Sequence, residues 1–166
     1  VWIADYNYIL GKPSNRILKQ DFDSSTTVLV IDEAHNLESR LLDHWSVEWS
    51  ALEVLRIGEP LSHLDISSRF RELWEQWRRA LDSLPGERLL SAKEIHWFED
   101  LLFELVEQST HEHWDWVILP PDIADAIWKL RETASLIAQE NTAWEWIWWT
   151  PKPGVLQWAP MEIKSW

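Results

Sequence analysis

The residues best suited to chemistry lie in the stretch VLVIDEAHN, at positions 28–36. Apolar residues are followed at once by Asp32 and Glu33, and His35 comes two residues later. A continuous apolar run is typical of a strand that is covered on both faces of a parallel sheet. Because polar side chains are costly to desolvate, this cluster is expected where a ligand or solvent reaches the strand's end. The spacing predicts a functional site there.

Two adjacent carboxylates at the end of an apolar strand form the Walker-B arrangement of nucleotide-hydrolysing motors. Neighbouring side chains of a strand point to opposite faces, so the two acids can serve different roles. Asp32 would hold Mg²⁺, usually through water, and Glu33 would orient and activate the water that attacks the γ-phosphate. His35 would report the nucleotide state to neighbouring loops. The alternative is a helix N-terminus capped by surface acids.

The segment up to His35 predicts a β-α-β unit. The opening stretch VWIA is a short apolar strand, a mixed stretch with Gly11 and Pro13 follows, and Val28 to Ile31 forms the second strand. Ligands of open parallel sheets bind beyond the carboxyl ends of the strands, which is where Asp32 falls. The chain opens in mid-pattern without methionine, so we expect it to be a segment of a longer protein.

After His35 the apolar spacing becomes that of helices. One helix is predicted to continue from the strand over LESRLLDHW, and each of those that follow has its own start or stop signal. These signals are Gly58 and Pro60 ending VEWSALEVLRIG, Asp65 capping the next helix, a capping box of Ser91 with Glu94, and Pro121 at a first helical position. The last three helices are amphipathic and should pack as a small bundle.

The C-terminal stretch predicts a β-hairpin. AWEWIWW alternates with period two, TPKPG is a turn, and VLQWAP is the second strand. Trp144, Trp146 and Trp148 would share one face of the hairpin. The final MEIKSW would begin another helix. The predicted fold is therefore mainly α with a small α/β part, ending in this hairpin.

The composition disfavours several classes of function. The net charge of −13 disfavours phosphate backbones over most of the surface, so nucleic acid would need a local basic or aromatic patch. No apolar run is long enough for a membrane span, and with no cysteine the chain holds no disulfide or thiolate-bound metal centre. We expect an intracellular, cytoplasmic protein without membrane contact. Most of the 15 tryptophans should be core residues, and a minority could stack on bases.

The stretch DEAHN after VLVI, with VWIADYNYIL upstream, resembles the iron–sulfur superfamily 2 DNA helicases of the XPD/DinG type. The resemblance covers the whole chain, and DEAHN is its strong motif. It implies a helical arch inserted into a RecA-like motor domain built on a parallel sheet. The partial motor segment would cover residues 1–36 and the arch 37–142, and the hairpin over 143–166 would return to the motor.

The same resemblance implies an ATP-driven DNA helicase that acts in repair. Asp32 and Glu33 would bind Mg²⁺ and ATP, Glu33 would be the catalytic base, and His35 would couple hydrolysis to strand movement. Single-stranded DNA would pass beneath the arch, and the iron–sulfur cluster would lie outside this chain. We assign Tyr6 and Tyr8, in the polar-aromatic turn after the first strand, to the nucleic-acid contacts.

The chain departs from that family in lacking a phosphate-binding loop. Gly11-Lys12-Pro13-Ser14 lacks the first glycine and places proline where the loop needs a backbone N–H. Cluster cysteines are also absent. We therefore expect the chain alone to bind no cofactor tightly and not to hydrolyse ATP.

Two further groups of residues are weaker candidates. Arg78 and Arg79, with Arg69 and Arg71, form a basic cluster that could touch a phosphate backbone. Pairing with Glu72 and Glu75 on the same helix is the favoured alternative. His111 and His113, with Glu112 or Asp115, could be metal ligands, but a polar loop is favoured because no convergent set of four ligands is evident.

Two other functions remain open. An RNA helicase of the broader DEAH class is disfavoured, because a large helical insertion directly after the box is not expected there. An acidic, tryptophan-rich module that binds a protein partner is the alternative from another class. The sequence leaves the oligomeric state undetermined.

Overall fold

The computed structural model describes residues 45–138 and 144–163, together with seven separate residues nearer the N-terminus. Those seven are Val28, Val30, Asp32, His35, Leu37, Leu42 and Asp43. The chain divides into two compact units, residues 1–46 and residues 47–166. The predicted strand at residues 1–4 and the stretch around Gly11 and Pro13 lie outside the described residues.

Among the residues that the structure describes, the second unit contains four helices and four strands. In chain order they are β1 (Val47–Ser50), α1 (Ala51–Leu61), α2 (Ser68–Asp82), β2 (Arg88–Leu89), α3 (Ala92–His111), α4 (Pro121–Ile137), β3 (Trp144–Thr150) and β4 (Val155–Ile163). Each helix packs on the next along the chain, and α1 also contacts α4. The prediction of a mainly helical fold with a small β part and a C-terminal hairpin is confirmed.

The strands form one antiparallel sheet in the order β1-β4-β3-β2. In the hairpin of β3 and β4, the Trp146 and Trp158 rings stack with centroids 4.0 Å apart, and Trp148 lies 5.9 Å from Trp158. Cross-strand aromatic pairs of this kind stabilise a hairpin. A register shift next to Glu145 places Pro160 opposite Trp146, at an irregularity where its missing N–H does not interrupt the ladder.

The helix predicted for MEIKSW is wrong where the structure describes it. Residues up to Ile163 continue β4, because they pair with the start of β3. A partner strand satisfies the backbone of a short segment that has no helical nucleus of its own.

The start of α1 also differs from the prediction. The first four residues of VEWSALEVLRIG form β1, in which Val47 and Trp49 are buried and Glu48 is exposed. Val47 pairs with Trp158, so a strand far along the chain determines this conformation. The side chain of Ser50 then accepts a hydrogen bond from the Glu53 backbone N–H and begins the helix.

Helix α1 continues past Gly58, where the sequence predicts its end. Pro60 lies in the last turn, so its missing N–H removes only one intrahelical bond, and Ser62 N–H bonds to the Gly58 carbonyl at 3.1 Å. Gly58 instead permits close packing: a Cβ there would lie 3.4 Å from Nε1 of Trp74. Trp74 donates this N–H to the Val54 carbonyl at 2.9 Å.

The other helix signals are confirmed with one exception. Ser91 and Glu94 form the capping box, and Pro121 begins α4. Ser67, not Asp65, caps α2, because its hydroxyl accepts the Phe70 N–H at 3.1 Å. The largest fully buried side chains form the core: Trp49, Phe70, Leu73, Trp77, Leu81, Phe98, Leu102, Leu105, Ile123, Ile127 and Leu130.

The strand predicted from Val28 to Ile31 is not present at its two described positions. Val28 and Val30 lie outside any strand, and each is 87% exposed. A strand of a parallel sheet is covered on both faces by the helices that pack against the sheet. All strand pairs among the described residues are antiparallel. Among the described helices, none is long and apolar enough to cross a membrane.

Two glycines with positive φ allow a test of this architecture: Gly86 lies between α2 and β2, and Gly154 lies in the turn between β3 and β4. Gly86 has φ +90°, and an added Cβ would lie 2.6 Å from the Pro153 nitrogen. Gly154 has φ +72°, but its nearest contact would be 3.6 Å away, at Ala51. Gly154→Ala should therefore lower the free energy of unfolding by roughly 1–2 kcal/mol, through backbone conformation alone. Gly86→Ala should cost roughly 2–5 kcal/mol, because a steric clash is added.

Urea unfolding followed by circular dichroism measures both values. Gly154→Ala is the matched control, since both glycines have positive φ and only one lacks space. Equal losses in the two variants would show that the close approach of Gly86 to Pro153 does not contribute to stability.

Candidate functional site

The acid–histidine segment lies in the first unit. Asp32 has a turn conformation and His35 a 3₁₀ conformation, and both are exposed; Leu37 is half-buried in a helical conformation. Glu33 lies outside the described residues, as do Tyr6 and Tyr8. The structure therefore neither brings the predicted site residues together nor separates them. What it establishes is that a carboxylate and an imidazole are open to solvent at this point of the chain.

Arg78 and Arg79 on α2 converge on one carboxylate. Arg78 bonds both oxygens of Glu75 at 2.8 Å, and Arg79 Nε bonds one of them at 2.8 Å. The hydrogen bonds from Arg78, with smaller contributions from Arg79, lower the pKa of Glu75 to about 2. Glu75 thus stays ionised at neutral pH, and its charge offsets part of the basic cluster. The pairing favoured from the sequence is present.

The other two arginines of the cluster are also engaged. Arg69 forms an ion pair with Glu104 on α3 and lies 3.7 Å from Glu72, and Arg71 donates to the Leu64 carbonyl at 2.8 Å. The pKa of Arg69 is raised, chiefly by the hydrogen bond to Glu104. These contacts hold the arginine side chains along α2, and their acidic partners offset part of the positive charge of the cluster.

The polar loop after α3 has a structural role at Glu112. Its carboxylate accepts the Ser67 backbone N–H at 3.0 Å and the Ser67 hydroxyl, and so joins the end of α3 to the start of α2. Burial raises the pKa of Glu112, but the hydrogen bonds from Ser67 and Gln108, together with the charge of His113, outweigh that effect and lower it. Within the described ranges no group of three or more His, Cys, Asp or Glu side chains is placed to hold a metal ion.

An ion pair between α1 and α4 has no local sequence signal. Lys129 Nζ lies 2.8 Å from a Glu53 carboxylate oxygen and 4.2 Å from the centroid of the Trp49 ring. The two ionic partners are separated by 76 residues. The indole of Trp49 therefore supplies part of the environment of the cation.

Two surface features were also missed by the sequence analysis. An apolar groove of about 720 Å³ runs between α1 and α2, with Leu52 and Leu55 exposed at its edge. A second feature is the exposed run Trp116-Val117-Ile118 before α4. The apolar letters WVIL within an otherwise polar interhelical loop were the available signal for the second one.

Comparison with known proteins gives one finding for the N-terminal part. The sequence model of the DEAD_2 family matches residues 1–54, a range that includes Asp32 to Asn36. No curated protein and no solved structure matches the chain. The match supports a helicase-related domain of the DEAD-box type over those residues, and ATP and Mg²⁺ use and nucleic-acid binding are general features of such helicases.

Proposed function

We propose that this chain is part of an ATP-dependent DNA helicase of the XPD/DinG type. The observation that carries the proposal is the sequence Asp32-Glu33-Ala34-His35-Asn36 within the range matched by DEAD_2. In the proposed protein Val28 and Val30, now exposed, would belong to the parallel sheet of the motor domain. The proposed helicase would act in DNA repair inside the cell.

Each residue of the box would have its own task in ATP hydrolysis. The Asp32 carboxylate is exposed and chemically suited to hydrated Mg²⁺, which prefers oxygen ligands. When bound, Mg²⁺ would neutralise charge on the β- and γ-phosphates. The Glu33 carboxylate would orient the attacking water and accept its proton. His35 would couple hydrolysis to movement of the nucleic acid.

This chain supplies only part of the cofactor sites of the proposed protein. Asp32 and Glu33 supply the acidic part of a nucleotide site, but the sequence has no G-x-x-x-x-G-K-[ST] loop. It also has no cysteine, so its own residues supply no thiolate to an iron–sulfur cluster. We propose that both the phosphate loop and the cluster belong to other parts of the protein, and that this chain alone is inactive.

The helical layer would guide single-stranded DNA as an arch. We propose contacts from Tyr6 and Tyr8 near the motor and from Arg78 and Arg79 on α2. Arg79 is the better placed arginine, since 73% of its side chain is exposed, against 22% for Arg78. A phosphate would compete with Glu75 for these guanidinium groups, which makes the contribution sensitive to salt.

The test compares DNA with RNA as activators of the intact protein that contains this chain. Single-stranded DNA should stimulate ATP hydrolysis about tenfold or more over RNA of the same length and sequence. The physical reason is that a protein distinguishes the two through the 2′-hydroxyl groups. Steady-state ATP hydrolysis at increasing nucleic-acid concentration measures the difference. Stronger stimulation by RNA would favour the DEAH-class RNA helicase.

The contribution of the arginine pair is read from salt dependence in the same assay. Replacing Arg78 and Arg79 by alanine should raise the DNA concentration at half-maximal stimulation. It should also reduce, by about one to two, the slope of the logarithm of that concentration against the logarithm of the salt concentration. Arg88→Ala is the matched control, because Arg88 is also paired, with Glu94 at 2.5 Å. An unchanged salt slope in the double variant would remove these arginines from the DNA path.

A second candidate function is protein binding through the acidic helical surface. The exposed apolar residues around Trp116 favour it, since large exposed aromatic side chains are enriched at protein interfaces. The two functions are compatible, because one protein can use the motor segment for ATP and a separate surface for a partner.

A further inference from the structure

A cluster of exposed apolar side chains lies where α3 leads into α4. Trp116, Val117 and Ile118 in the connecting loop are 43%, 93% and 77% exposed, and Trp128 on α4 is 61% exposed. The rings of Trp116 and Trp128 have centroids 5.7 Å apart and planes inclined by 39°. We call these four residues the tryptophan surface. Contiguous exposed apolar side chains of this size mark interaction sites.

The tryptophan surface is held by packing beneath it. Trp114 lies 6.4 Å from Trp116 and 5.4 Å from the buried ring of Phe70, and its indole N–H bonds the Ser109 carbonyl at 2.7 Å. The Asp115 carboxylate accepts the Val117 N–H at 3.1 Å and so fixes the turn. A surface ordered in advance loses less conformational entropy when a partner binds.

The charges next to this surface are mainly negative. Asp125 lies three residues before Trp128 and is exposed on the same side of α4, and Asp122 is exposed in the first turn of that helix. Neither has an ion-pair partner in the part of the chain that the structure describes. Asp115, in the loop itself, is a third exposed acid.

The basic side chains nearby are already engaged. Arg131 donates to the Ser109 carbonyl at 3.0 Å, and its guanidinium carbon lies 5.7 Å from the Trp116 ring centroid. Lys129 pairs with Glu53. Trp116 therefore already has one guanidinium beside it, whereas Trp128 offers an exposed ring on the same side of α4 as Asp125.

We propose that the tryptophan surface binds a basic segment of a partner protein, in which arginine or lysine alternates with apolar residues. Indole rings attract guanidinium and ammonium groups, and Asp122 and Asp125 would pair with the same cations. Val117 and Ile118 would bury the apolar side chains of the segment. Phosphate groups are disfavoured by the same aspartates, so this surface is distinct from any DNA path. The proposal does not depend on helicase activity.

A fluorescent ten-residue peptide of alternating arginine and leucine is the probe, and anisotropy with the full chain measures its binding. Trp128→Ala and Trp116→Ala together should weaken binding about tenfold or more. Replacing Asp122 and Asp125 by asparagine should weaken it roughly threefold to tenfold and flatten its salt dependence. Trp97→Ala is the matched control and should leave affinity unchanged, because Trp97 is a 51% exposed tryptophan on another helix.

Indole N–H signals in an NMR titration give a second measurement that needs no substitution. The peptide should shift the signals of Trp116 and Trp128 and leave that of Trp97 in place. Undiminished affinity in the double tryptophan variant, equal binding of a glutamate–leucine peptide, or displacement of the peptide by a thymidine oligonucleotide would each overturn the proposal. Circular dichroism of every variant confirms that a loss of binding is not a loss of fold.

Discussion

Replacing Glu33 with glutamine in the intact protein is expected to lower ATP turnover by roughly 10²–10⁴-fold and to leave ATP binding almost unchanged. Under the proposed function, the carboxylate accepts a proton from the attacking water. Glutamine has nearly the same shape but cannot accept that proton at neutral pH. Binding of ATP depends on contacts with the phosphates and Mg²⁺, which this substitution does not remove. The steady-state rate and equilibrium binding of a fluorescent ATP analogue measure the two quantities.

Asp43→Asn is the matched control for this substitution. Asp43 is an exposed acid in the same compact unit, eleven positions after Asp32, and the proposal gives it no role. The Asp43→Asn substitution makes the same change of charge as Glu33→Gln and should retain the wild-type rate of ATP turnover. A Glu33→Gln protein that turns over ATP normally would remove Glu33 from the mechanism, and a loss of both binding and turnover would indicate a structural role.

The helices were predictable because their signals are local. The apolar stripe of α2, the Ser91–Glu94 capping box and the proline that begins α4 each lie within a few residues of the structure they specify. The cap of α2 shows how narrow the choice can be. Asp65 and Ser67 are both good caps, and Ser67 is used because Glu112 also binds its backbone N–H and hydroxyl.

The elements that were missed depend on distant parts of the chain. β1 exists because Val47 to Ser50 pair with residues 155–158 of β4, and no property of the local sequence specifies that partner. Gly58 looks like a helix end, but its lack of a side chain serves the contact with Trp74 on the next helix. Propensity gives way where tertiary contacts satisfy the backbone better.

The candidate site was predicted in two unequal parts. The acid–histidine segment was predicted from residue type and order alone, and the DEAD_2 match includes the same residues. The ion pairs of Arg78 and Arg79 with Glu75 followed from helical spacing. The pairing of Trp116 with Trp128 could not be predicted in this way, because their proximity depends on how the loop meets α4.

The largest loss of stability is expected at Trp77, on the inward face of α2. Its side chain is 1% exposed and meets Trp49 and Phe98 edge to face, with ring centroids 5.9 and 5.7 Å away. Trp77→Ala removes these contacts and leaves a cavity, so it should lower the free energy of unfolding by about 3–5 kcal/mol. Urea unfolding followed by circular dichroism measures the change, with Trp97→Ala as control at about 1 kcal/mol or less.

Trp77→Phe separates packing from the polar group. The Trp77 indole N–H is buried and has no hydrogen-bond acceptor among the described residues. Phenylalanine keeps an aromatic ring between Trp49 and Phe98 and removes the unsatisfied donor. Its cost should therefore be less than half that of alanine. If the two substitutions lower the free energy of unfolding equally, the edge-to-face ring contacts do not contribute to the packing of α2 on α3 and the sheet.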